Sequence, residues 1–288
     1  MAENKKAVQR RIRAVKATQQ ITKAMKLVAA AKLRRAQESV LNARPYSREL
    51  AKTLSHLLQA GAGVSHPLLE RRTEGTPTVA YVVITADRGL AGPFNINVIR
   101  RAHQALSAES RPTKLICIGR KGRDYFVKRK IQPVLEFVNL SDNITFALAR
   151  SILSKIVDLY LSGEVDEVRV IYTEFVNAVT QRPKEMQLLP IQPVEAEHGH
   201  TPMDYIYEPS PERVLDTLVP RYAETMFYQL LLESKASEHG ARMTAMGNAT
   251  DNAEEMIAKL TLAYNRARQA SITREIAEIV GGANALKG

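Results

Sequence analysis

Met246, Thr250, Ala253, Ile257, Leu260, Tyr264 and Ala267 follow one another in steps of four and three, inside a proline-free stretch from Glu233 to Leu286. That alternation is the period of a left-handed coiled coil. A second row, Ala249, Met256, Ala263 and Ala270, repeats every seven positions and is mostly small. Small side chains let a partner helix approach closely, so this long C-terminal helix is expected to lie against another one.

The other end of the chain supplies a candidate. Residues 1 to 44 contain neither glycine nor proline and are rich in strong helix formers. Ala7, Ala14, Ile21 and Val28 repeat every seven, with Thr18 and Met25 between the later members, and they predict the facing seam. Arg11 and Lys32 also fall on it and weaken it. At about 1.5 Å per residue, a helix from the N-terminus to near residue 58 would run roughly 85 Å, and one from near 211 to near 285 would exceed about 100 Å. Such lengths point to an antiparallel rod. Gly240 and Gly247 are the positions where the second helix would break if the ends instead formed a helical bundle.

The pattern changes in the middle. TVAYVVIT at 78–85 is a β-branched run fit for a buried strand, KLICIG at 114–119 a second, VLEFVNL at 134–140 a weaker third, and EVRVIYTEFV at 167–176 a fourth. Amphipathic helices are predicted at Asn95–Leu106, within GRDYFVKR, and at Asn143–Leu161. KEMQLLPI at 184–191 could add an antiparallel edge strand, and 195–211 reads as loop. Alternating strands and helices imply a mostly parallel, doubly wound sheet. The predicted class is therefore α/β with long helices: a coiled-coil helix over 1–60, an α/β domain over 75–195, and a second coiled-coil helix over 211–286.

Composition is ordinary, with 45% apolar and 25% charged residues. No apolar run approaches the eighteen or so residues of a membrane span, and the basic N-terminus lacks the apolar core of a secretory signal. Cys117, the single cysteine, sits in the apolar run LICIG and reads as a buried, inert thiol. The net charge of +11 is unevenly placed: residues 1–35 hold eleven Lys or Arg against Glu3 alone. That bias suits an acidic partner or a solvated helix face. No zinc-ligand spacing or aromatic RNP-like strand accompanies it, which disfavours nucleic acid.

Two glycine loops follow strands, Asp87-Arg88-Gly89-Leu90-Ala91-Gly92 and Gly119-Arg120-Lys121-Gly122. Doubly wound folds bind phosphates at such places, so an α/β enzyme with a helical arm is one open reading. Neither loop matches GxGxxG or the Walker pattern, however, and an aspartate stabilising its own turn is the commoner arrangement. His198 and His200 make a weak pair, and no metal, Ser-His-Asp or Cys-His signature is present. No cofactor, metal site or catalytic residue is expected.

Three stretches carry a family resemblance: RIRAVKATQQITKAMKLVAAAKLRRAQ from Arg11, TADRGLAGPFN from Thr85, and SEHGARMTAMGNATDNA running on to YNRARQASITREIAEIVGGANAL. In order and spacing they resemble the gamma subunit of the F-type ATP synthase, of the bacterial type. The resemblance implies a non-catalytic rotor shaft. Its coiled coil would enter a ring of three alpha and three beta subunits, and its α/β domain would meet the epsilon subunit and the membrane ring of c subunits. It implies torque transmission, regulation of ATPase activity and proton flow, and a peripheral position on the cytoplasmic face of a bacterial plasma membrane. It implies no nucleic acid and no small-molecule substrate.

The resemblance also assigns residues. Met25 would face an acidic lever of the beta subunit, with Arg242 at a similar height on the other helix. Arg268 and Gln269, in RQASIT, with Thr273, would contact a beta-subunit loop. Ile276, Ile279, Val280, Ala283 and Leu286 would form an apolar tip, loosened or ended at Gly281-Gly282. Pro45, Tyr46, Tyr205 and Tyr207 would meet the rotor ring and epsilon, although ordinary loop packing suits those four equally. The loop reads GLAG where many relatives have GLCG, so Ala91 offers no thiol. With no cysteine-bearing insertion near 195–210, thiol regulation is not expected.

Overall fold

The computed structural model describes residues 5–59, 66–70, 76–178, 180–192, 208 and 210–285. Tyr205, Tyr207, Leu286, His198 and His200 lie outside the described residues. Two helices frame the chain: α1 (Lys5–Gln59) and α5 (Pro211–Ala285). By its contacts the chain forms two compact units, Met1–Val28 with Met243–Gly288, and Ala29–Arg242. Each terminal helix therefore contributes to both units.

The larger unit is built on a five-stranded sheet of order β3-β2-β1-β4-β5. β1 (Val79–Ile84) lies parallel to β2 (Thr113–Ile118) on one side and to β4 (Glu167–Phe175) on the other. β3 (Leu135–Phe137) extends the parallel set, and β5 (Gln181–Leu189) closes the opposite edge antiparallel to β4. The chain thus steps from β1 to β3 in one direction and then returns to the far side of β1. With right-handed crossovers, this reversal puts α2 (Phe94–Ala108) and α3 (Arg120–Val127) on one face and α4 (Phe146–Leu161) on the other. All six residues of β1 are buried, as a parallel strand covered on both faces should be. Val79, Tyr81 and Val83 pack with Leu115, Val98 and Phe126 into one core layer. Cys117 belongs to that layer, and burial pushes its thiol up to about 12.

The N-terminal end of the sheet is tied by charge. Arg111 reaches Glu109 at 2.8 Å and Glu167 at 2.7 Å. Its hydrogen bonds hold the Glu109 carboxyl at about 2, against the burial that opposes ionisation.

In the smaller unit the C-terminal seam is where the period predicts it. Met246 and Ala253 are buried, and Thr250, Ile257, Leu260, Tyr264 and Ala267 are half-buried among exposed neighbours. The hydroxyls of Thr22 and Thr250 lie 2.9 Å apart, and Gly247 faces the Lys26 side chain. Rising numbers on one helix meet falling numbers on the other, so the pair is antiparallel. The α1 seam is displaced by one position from the expected row. Ala7, Ala14, Ile21 and Val28 are exposed, while Val8, Ile12, Val15, Gln19 and Thr22 point inward. A one-position step rotates the stripe by about 100° around the helix. The most apolar heptad of α1 thus faces away from α5, and the inner row is partly polar.

Neither Gly240 nor Gly247 breaks α5. A Cβ at Gly240 would stand 3.2 Å from the Ala178 carbonyl, so that glycine admits a close approach. Nor do Gly281 and Gly282 end the helix, which continues to Ala285.

Candidate partner-facing sites on the terminal helices

The loops that follow the strands of the sheet are occupied with one another. Asp87 accepts from Arg120 N at 2.9 Å through Oδ1 and from Leu140 N at 3.0 Å through Oδ2. Gly122 N donates to Thr85 Oγ1 at 2.9 Å. Gly119 takes φ 94°, and a Cβ there would stand 2.1 Å from the Thr85 carbonyl oxygen. These glycines therefore serve loop-to-loop packing. The crevice at the C-terminal end of a doubly wound sheet, where ligands usually enter, is filled by α5. Leu231, Ser234 and Glu238 close over Thr85, Asp87 and Gly119, leaving about 20 Å³. That space holds about one water, not a nucleotide, so the glycine-loop enzyme reading loses its site.

The sequence-predicted residues on the helices separate into two groups. Met25 is half-buried at the edge of the coiled-coil seam, between exposed Lys23 and exposed Lys26. A thioether fits such an edge because it packs without a charge to desolvate. Arg268, Gln269 and Thr273 are exposed on α5, and Thr273 Oγ1 donates to the Gln269 carbonyl at 3.0 Å. From there to residue 283 every position but Ser271 is exposed, including Ile276 at 56%, Ile279 at 71% and Val280 at 52%. Ala283 is also exposed.

Arg242 differs from the expectation. Its side chain is 13% exposed and pairs with Glu238 at 2.8 Å. It also donates to the Gly89 carbonyl at 3.3 Å. The guanidinium is thus committed to its own unit. Pro45 and Tyr46 stand inside α1 rather than in a loop. Both are exposed, and the Tyr46 hydroxyl accepts from Arg221 Nε at 3.4 Å. Arg221 in turn covers the Phe146 ring at 4.5 Å.

Sequence reasoning missed an outward stripe on α1. Ile21, Leu27 and Val28 are each more than half exposed. The seven-residue spacing of Ile21 and Val28 was the available signal, but taken alone it predicts an inner seam. A buried ionic group on α5 was missed as well. Lys235, Glu238, His239 and Arg242 recur at helical spacing and contact one another. Burial, reinforced by the Lys235 and Arg242 charges and opposed by those of Glu238 and Asp142, holds the His239 imidazole at about 4. The ring is therefore neutral at neutral pH. Among the described residues no helix is long and apolar enough to cross a membrane, and no group of His, Cys, Asp or Glu is placed to hold a metal.

Comparison with known proteins bears on these surfaces. An ATP synthase family model matches residues 4–286. The ATP synthase gamma chain of Symbiobacterium thermophilum is 89% identical over 288 residues, covering 100% of both chains. That of Heliobacterium modesticaldum is 52% identical, covering 97% of this chain and 98% of its own. Among solved structures, a chain from the Tetrahymena thermophila mitochondrial ATP synthase central stalk and c-ring aligns with a TM-score of 0.58 at 27% identity, over 80% of this chain and 99% of its own. A chain of the Euglena gracilis mitochondrial ATP synthase shares the fold with a TM-score of 0.70 at 19% identity, over 98% of this chain and 94% of its own. An outward apolar helix tip, a closed sheet crevice and a match along nearly the whole chain agree, and the chain belongs to the ATP synthase gamma-chain family, the non-catalytic central stalk of the F-type enzyme.

Proposed function

We propose that this chain is the rotating shaft between a membrane ring of c subunits and a ring of three alpha and three beta subunits, with epsilon beside its α/β domain. The assembly would sit on the cytoplasmic face of a bacterial plasma membrane. One observation carries the reading: residues 268–283 of α5 present isoleucines and valine to solvent, and among the described residues nothing covers them. An apolar sleeve supplied by the surrounding ring would bury them, at about 25 cal/mol per Å² of covered apolar surface.

The coupling follows from asymmetry. A pair of helices that differs from side to side touches each of three beta subunits differently, and differential contacts shift the three sites to different conformations. Met25 would be a neutral contact for the acidic beta lever. A lysine there would add an ion pair and hold the lever too long in one position. Arg268, Gln269 and Thr273 would hydrogen-bond a beta-subunit loop, and Ile276, Ile279, Val280 and Leu286 would turn in the sleeve. Pro45, Tyr46, Tyr205 and Tyr207 are retained as contacts to the c ring and epsilon. Arg242 acts here by holding α5 against the Gly89 loop. Through these contacts the shaft would regulate ATPase activity and proton flow.

The test is ATP hydrolysis by the chain alone, by alpha and beta together, and by all three. No turnover from the chain alone, with stimulated turnover and a stable complex in the mixture, is the expected result. A chain that neither joins nor stimulates the ring overturns the reading. In the assembled, membrane-reconstituted enzyme, Met25→Lys should lower the protons pumped per ATP with assembly intact. Unchanged pumping would remove Met25 from the contact.

A further inference from the structure

We propose that the larger unit carries a binding site for a phosphate-class oxyanion, lodged between residues 32–39 of α1, the 142–144 loop and residues 232–239 of α5. A cavity of about 250 Å³ opens there, lined by Lys32, Arg35, Ser39, Asp142, Lys235 and His239. Three cations converge on it from two helices. Lys32 Nζ stands 2.6 Å from Asp142 Oδ2, and Lys235 Nζ stands 3.6 Å from Asp142 Oδ1. Arg35 is exposed and makes no ion pair among the described residues.

The charges around the cavity do not balance. Lys235 also pairs with Glu238 at 3.0 Å, but Glu238 is shared with Arg242 at 2.8 Å. Among the residues that line the cavity, Lys32, Arg35 and Lys235 are thus three cations against the single carboxylate of Asp142. His239 is 2% exposed, with Nε2 4.0 Å from Asp142 Oδ1, and its neutral ring adds no charge. An excess of positive charge around a half-enclosed space raises the local concentration of anions. The donor set selects among them, since a guanidinium fork and two ammonium groups arriving from different directions suit a tetrahedral oxyanion with several acceptors.

Asp142 acts as the resident counter-anion. Its side chain is 49% exposed on a loop. Burial opposes its charge, yet the Lys32 hydrogen bond and the Lys235 charge hold its carboxyl below the ordinary carboxylate range. An incoming phosphate takes over those two lysines and adds Arg35, which the short Asp142 side chain leaves unpaired. Bound there, it joins α1, α5 and the 142–144 loop through one ion.

Calorimetric titration of the full chain with inorganic phosphate, at constant ionic strength set by chloride, tests the site. Saturable binding is expected. Arg35→Gln should weaken it about tenfold and Asp142→Asn should tighten it about tenfold, each reflecting one charge at close range. Arg35 is exposed, so its variant keeps the fold and decides the matter even if Asp142→Asn does not fold. A parallel titration with ADP identifies the source. Tighter binding than phosphate assigns the site to a nucleotide's phosphates, and equal or weaker binding assigns it to the free ion. No saturation with either, or identical binding by wild type and Arg35→Gln, overturns the proposal.

Discussion

Residues 231–241 and 268–283 belong to one helix, yet one segment encloses its polar side chains while the other leaves its isoleucines and valine bare. Every residue from 231 to 241 is buried except Lys235, which is half-buried. Ser234 Oγ accepts from Thr173 N at 3.3 Å, and Ser237 Oγ donates to the Thr173 carbonyl at 3.2 Å. The second segment reverses this, with Ile272, Ile276, Ile279 and Val280 all outside. Helical period places side chains on faces, but it does not say what covers a face. Directional bonds fix the first segment within its own chain, since each buried polar group there needs its partner. The second shows, among the described residues, only bonds within the helix itself, such as Ser271 Oγ to Glu275 Oε1 at 2.9 Å.

The contrast can be broken most forcefully from the enclosed side. Phe227, fully buried on the same helix, should lose about 3–5 kcal/mol of folding stability as Phe227→Ala, measured by urea unfolding of the larger unit's signal. A loss below about 1 kcal/mol would mean that the helix is not held there. Acid is the second lever. The unfolded chain binds a proton at His239 below 6.5, whereas the folded chain refuses it down to about 4. Stability should therefore fall as pH drops through that window, by up to roughly 3 kcal/mol. His239→Gln should flatten this slope, and an unchanged slope would show that the imidazole is not kept neutral.

On the bare side the expected effects are smaller. Gly281→Ala meets nothing within 4 Å and should strengthen the last turns by up to about 1 kcal/mol. Slower amide exchange over 275–285 would register it, and faster exchange would contradict a helix there. Ile279→Ala should change stability by less than about 0.5 kcal/mol, while weakening assembly with alpha and beta. A large loss of stability would mean that the chain covers this residue itself.

Much of this was legible in the residues. Each strand run became a strand, because β-branched apolar runs have few other stable solutions once helices flank them. The C-terminal seam could be read because its apolar positions form one stripe. The α1 seam could not, because that helix carries two stripes one position apart, and the more apolar one, through Ile21 and Val28, faces outward. Propensity also misjudged the glycines. Gly240 costs helix stability locally, but the close approach to Ala178 offsets it through packing that no local signal encodes. Arg242 was visible as a charge on a helix, but its tie to Gly89 spans most of the chain and belongs to the tertiary fold.

The single thiol has a practical consequence. Cys117 is fully enclosed in the sheet, and its proton is held far above neutral pH, so it is almost absent as the reactive thiolate. A cysteine introduced at an exposed position such as Thr273 would then react alone with a maleimide. One fluorophore or bead tether could be attached to the native chain without first removing a background residue.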